Sequence, residues 1–138
     1  MLATAQQKTT ESRDTFKSVV LWIRRVVAGE ELPVPAEVAA VVRLAERSSK
    51  VLYWIFATAR NTAPATRKAM IAEGDQLRKN ALDVLARVRG PVSELRELTE
   101  SSFPPRGIVA ASEDLHRAVS QLEASLEKAD QDRRHLIG

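Results

Sequence analysis

The sequence predicts an all-α fold, an antiparallel (up-down-up-down) four-helix bundle with a kinked third helix, and three observations carry that reading. Apolar residues recur at helical spacing over four long stretches. Strand-type alternation is missing, and β-branched runs are short. The five glycines and six prolines gather at a few points, as punctuation between helices does. A chain of 138 residues with 44% hydrophobic content has the size of one ordinary domain and can bury a core without staples. Residues 1–138 are expected to form a single helical-bundle domain, with a frayed segment over residues 1–9.

The first helix is expected over residues 10–28. Gly29 suits the position after a helix end, where φ > 0 is wanted. It opens the break Gly29-Glu30-Glu31-Leu32-Pro33-Val34-Pro35. Within this helix Val19, Val20, Leu21, Trp22 and Ile23 are consecutive apolar residues. At about 100° per residue they encircle the helix.

The second helix is expected over 35–60, with Pro35 in its first turn, where a missing N–H costs nothing. Val51, Leu52, Tyr53, Trp54, Ile55 and Phe56 form a second apolar ring. A helix-turn-helix over Pro35–Ile55 is a competing reading. No glycine or other turn residue separates its halves, however, and the apolar stripe keeps its phase, so one continuous helix is simpler. Arg43, Arg47, Lys50 and Arg60 then lie along a solvated surface.

After Asn61-Thr62-Ala63-Pro64 the third helix is expected over 64–98. Its stripe runs through Met70, Leu77, Ala81, Val84 and Val88, with Ile71, Leu82 and Leu85 beside it. Gly74 falls on the stripe. It either admits a neighbouring backbone or weakens the helix by ~1 kcal/mol relative to alanine. Gly90-Pro91 predicts a kink or a one-turn break, because proline removes a backbone bond and clashes with the preceding turn.

The third break is Ser101-Ser102-Phe103-Pro104-Pro105-Arg106-Gly107, and the fourth helix is expected over 106–136. Leu115, Val119, Leu122, Leu126, Ala129 and Leu136 make an a/d seam. Arg133 interrupts it near the end, where a long side chain can reach water. Short connections favour antiparallel neighbours.

Charge and composition narrow the function classes. The net charge is +3, divided as +5 over residues 1–70 and −2 over residues 71–138. This mixed pattern reads as a solvated helical surface and does not favour a nucleic-acid footprint. The absence of cysteine removes disulfides and thiolate chemistry and fits a reducing compartment. No signal peptide or membrane-spanning run is visible, so a cytoplasmic location is expected. Fifteen arginines against six lysines is a bias associated with GC-rich bacterial genomes.

Candidate chemistry is sparse. Glu113 and His116 have the Glu-x-x-His spacing of di-iron bundles. The only comparable pair, Asp132 with His135, is on the same helix, and the two histidines are about 28 Å apart. His116 on a bundle is similar in architecture to histidine phosphotransfer domains, but Leu115–Ser120 lacks their Lys-Gly. No nucleophile elbow, P-loop or dinucleotide fingerprint occurs. No catalytic residue, metal or cofactor is therefore assigned, and the protein is not expected to be an enzyme.

The two apolar rings are the most informative feature. One face of a bundle helix buries only part of such a ring, and large aromatics seldom stay exposed together. The expectation is a homodimer whose interface, or else a ligand pocket, uses Leu21, Trp22, Tyr53, Trp54 and Phe56. A further protein partner is compatible with this. The alternative is a small-ligand or DNA-binding regulator that uses the same aromatics with Arg24, Arg25 or Arg60 as anion contacts.

Overall fold

The computed structural model describes the backbone of residues 2–137 and the side chains of residues 15–136. Four helices follow one another: α1 (Leu2–Val27), α2 (Glu37–Ala59), α3 (Pro64–Ser101) and α4 (Arg106–Ile137). No strand occurs among the described residues. α1 begins at Leu2, ahead of the start expected at residue 10, and the side chains of residues 1–9 lie outside the described residues.

Local hydrogen bonding explains the C-terminal ends of α1, α2 and α3 and the start of α3. Gly29 takes φ +102°; its N–H donates to the Val26 carbonyl and that of Glu30 to the Arg25 carbonyl, both at 3.0 Å. This is the Schellman arrangement that a C′ glycine allows. The Arg25 guanidinium then holds the Glu30 carboxylate with bonds of 2.9 and 3.0 Å. α2 ends without a glycine. Its last carbonyls are capped by Arg67 of α3, whose Nε donates to the Ala59 oxygen at 3.2 Å and whose Nη2 donates to the Thr62 oxygen at 3.1 Å. Thr62 Oγ1 adds a bond of 2.8 Å to the Ala59 oxygen. The Ala63 carbonyl accepts the Arg67 N–H at 2.8 Å, so Pro64 begins α3 at the position where its lack of a donor is harmless. At the far end of α3, Ser102 N and Oγ both donate to the Leu98 carbonyl, and Pro104-Pro105 stops the helix.

α3 runs through Gly90-Pro91 without a one-turn break. Val88, Val92 and Leu95 are buried on either side of it. Their burial offsets the roughly 3 kcal/mol that an interior proline costs.

The chain forms two compact units. Unit 1 comprises residues up to 43 and residues 87–116. Its core takes Val19, Trp22, Ile23 and Val26 from α1, with Val38 and Val41 of α2, Val92 and Leu95 of α3, and Ile108 and Leu115 of α4. Unit 2 comprises residues 44–86 and residues from 117 onward. Its core contains Leu52, Ile55, Phe56, Ala81, Leu85, Leu122, Leu126 and Ala129, with Met70, Ile71, Leu77, Val119 and Leu136 packed at its edge.

Gly74 explains one tight join in unit 2. The Phe56 ring lies against it, and a Cβ there would stand 2.7 Å from Cζ and 2.8 Å from Cε1 of that ring. The expected close approach is therefore made by an aromatic side chain, not by a backbone. Arg133, at its seam position, binds Asp75 of α3 in a bidentate pair, with Nε to Oδ1 at 2.5 Å and Nη2 to Oδ2 at 2.9 Å. That hydrogen bonding holds the Asp75 carboxyl below its ordinary range and raises Arg133, while burial opposes both shifts. Arg78 pairs with Asp130 in the same unit.

Candidate functional site

The outer face of α2 follows from its inner face. Leu52, Ile55, Phe56 and Ala59 are buried at spacing i, i+3, i+4, i+7, which turns Val51, Tyr53 and Trp54 outward. Trp54 is 61% exposed and Tyr53 is 42% exposed. Their rings meet edge to face, with centroids 5.1 Å apart and planes at 75°. That is a favourable aromatic geometry.

Lys128 of α4 braces this pair. Its ammonium lies 4.4 Å from the Tyr53 ring centroid and 6.0 Å from that of Trp54. It also donates to the Tyr53 carbonyl at 3.1 Å and to the Asp132 carboxylate at 2.5 Å. Two hydrogen bonds and two cation–π contacts thus hold one cation against the rings. The aromatic pair is anchored from beneath and open above. Sequence reasoning missed Lys128, because nothing local links it to a residue 75 positions earlier.

The structure distributes the other sequence-derived candidates differently. Phe56 is fully buried, and Trp22 is 6% exposed inside unit 1. The chain itself encloses both side chains. The Trp22 indole N–H has no acceptor among the described residues. Leu21 is exposed on α1 of unit 1. Arg24 is exposed, whereas Arg25 is committed to Glu30, whose hydrogen bonding raises it. Arg60, in unit 2, is exposed. Of the five interface candidates, the structure brings Tyr53 and Trp54 together on one exposed surface.

Unit 1 has a surface feature of its own. An open, largely apolar groove of about 590 Å³ is lined by residues including Leu32, Val34, Leu98, Pro104 and Ile108, with fully exposed Phe103 at its edge. His116 is half-buried, and its Nε2 accepts from Arg96 Nη1 at 2.5 Å. No group of three or more metal-ligating side chains occurs among the described residues. No described helix is long and apolar enough to cross a membrane. Set against known protein families, curated proteins and solved structures, the chain matches none.

Proposed function

We propose that this chain is a non-catalytic helical interaction protein that works as a homodimer, with Tyr53, Trp54 and neighbouring Val51 of α2 at the centre of the contact. The observation that carries the reading is the exposed, braced aromatic pair. Tryptophan and tyrosine dominate the energetics of interfaces, and rings already fixed in place lose little freedom on binding. Leu21 of α1, in the other unit, is also exposed. The non-catalytic part rests on the sequence, where no nucleophile and base assemble by spacing. The architecture we infer is the up-down-up-down bundle, with α3 bent at Gly90-Pro91; its support is the short connections and the interior proline. The cytoplasm is the inferred compartment, on the strength of the cysteine-free sequence.

The test is mass by light scattering on a size-exclusion column. Wild type is expected to elute as a dimer at tens of micromolar. Trp54→Arg is expected to elute as a folded monomer with unchanged helicity by circular dichroism. A wild type that stays monomeric to high micromolar concentration rejects the homodimer. A Trp54→Arg variant that loses its helicity places Trp54 in the fold itself. A second reading, an anionic ligand on the same aromatics, is favoured by one specific observation: Arg47, Lys50 and Arg60 make no side-chain ion pair among the described residues.

A further inference from the structure

Two cations, Arg47 and Lys50, share the outer face of α2 with Trp54, and a third, Arg60, stands just past the end of the helix, about 120° round from Trp54. Lys50 and Arg47 precede Trp54 by one and two helical turns, and Arg60 follows it. All three are exposed, and their side chains make no ion pair or hydrogen bond among the described residues. The nearest acid in sequence, Glu46, is half-buried and does not pair with Lys50 one turn later. From Arg47 to Ala72 the chain contains five cations and no aspartate or glutamate. Of these five, Arg67 is spent on the carbonyls that end α2. Elsewhere in unit 2 Arg133 pairs with Asp75, Arg78 with Asp130 and Lys128 with Asp132, while Lys68, Lys79 and Arg134 are exposed without a side-chain partner among the described residues.

On the helical wheel Arg47, Lys50 and Trp54 fall within about 60° of one another. From Arg47 to Trp54 this face rises about 10 Å, and Arg60 lies about 9 Å further along the axis. We propose that this face binds single-stranded nucleic acid, with phosphates on Arg47, Lys50 and Arg60 and a base stacked on the exposed indole of Trp54. The inference rests on the reading that the outer face of α2 is the contact surface. A flat ring beside a line of unpaired cations matches a base and its backbone, which is how strand-binding surfaces work without reading sequence. A duplex keeps its base faces stacked inside. A membrane surface needs a broad apolar face, and here only Val51, Tyr53 and Trp54 supply one. The brace from Lys128 orders the rings before a strand arrives. A strand and a second copy use the same indole, so they compete.

The experiment is fluorescence anisotropy of a fluorescein-labelled, mixed-sequence 15-nucleotide DNA strand titrated with the full chain. Saturable binding is expected at low salt, with a slope of log affinity on log salt of about −2, as three phosphates on a single strand require. Unlabelled strand is expected to quench the emission of Trp54, read as the difference between wild type and Trp54→Phe. In light scattering, excess strand is expected to shift the dimer to one protomer carrying one strand. The double variant Arg47→Glu/Lys50→Glu is expected to bind at least tenfold more weakly, while Lys79→Glu, an exposed charge reversal on α3, changes little.

The proposal is overturned if no strand binds, if the two charge-reversed proteins weaken equally, or if polyglutamate displaces the strand as well as DNA does without quenching. The last result assigns the face to an acidic protein. If Trp54→Leu abolishes self-association while the double charge reversal leaves strand binding intact, the nucleic-acid assignment fails and the contact surface stands. If Trp54→Leu alters neither process, both fall.

Discussion

The apolar rings of α1 and α2 have nearly the same composition and opposite outcomes. In α1, Val19, Trp22, Ile23 and Val26 are buried and Leu21 stands outside. In α2, Leu52, Ile55, Phe56 and Ala59 are buried and the aromatic dipeptide Tyr53-Trp54 stands outside. The two inward stripes have identical spacing, i, i+3, i+4, i+7. Trp22 falls on its stripe, and Trp54 falls between the positions of its own. Helical phase, and not the greasiness of a segment, decides which ring is core and which is surface. Phe56 of the α2 stripe lies against Gly74, where a Cβ would stand 2.7 Å from the ring.

The largest effect that tests this contrast is at the two tryptophans. Trp22→Ala is expected to cost about 3–5 kcal/mol, as core truncations of large aromatics do. Trp54→Ala is expected to change stability by less than about 1 kcal/mol, the range of surface substitutions. Urea denaturation measures both, and equal losses would erase the distinction between the rings. The next effect is at Gly74. Alanine there gains about 1 kcal/mol of helix propensity but meets the Phe56 ring, so a net loss of about 1–3 kcal/mol is expected. Pairing Gly74→Ala with Phe56→Leu is expected to recover part of that loss. If Gly74→Ala stabilises the protein by itself, the ring does not lie tight against Gly74.

The smallest effect belongs to the ion pair that ties α3 to α4 within unit 2. Asp75 is about one-third exposed, so Asp75→Asn is expected to cost no more than about 1 kcal/mol at neutral pH. Its carboxyl is held below the ordinary value of 3.8, chiefly by the Arg133 hydrogen bond. The stabilisation is therefore complete above that value and disappears as the pH falls through the lower folded-state pKa. The gap between wild type and Asp75→Asn is expected to close in acid, as read from denaturation midpoints between pH 7 and pH 2. A gap that persists at pH 2 would assign the loss to packing instead of charge.

Much of the fold was legible because helix boundaries are set by local chemistry. The breaks at Gly29, Pro64 and Pro104-Pro105 coincide with helix ends, within a few residues. The α4 seam was legible too, since Leu115, Leu122, Leu126 and Ala129 are all buried. The candidate site was half legible. Tyr53 and Trp54 are exposed, whereas Trp22 and Phe56, grouped with them by composition, are core. The repeated stripe that runs on to Val26 and Ala59 carried the signal that separates them. At Pro91 the sequence left a kink or a one-turn break open; the helix runs on, and burial on either side outweighs the local penalty.

The amino-acid sequence by itself determined where the breaks between the helices fall, because glycine turns, proline stops and local caps act over a short stretch of chain. Tertiary structure alone decided that Lys128 braces Tyr53, that Arg133 meets Asp75 and that Phe56 fills the space at Gly74. Those pairs join residues far apart in the chain. Whether they meet depends on the rotation of each helix about its own axis, which only the packing of neighbouring side chains sets.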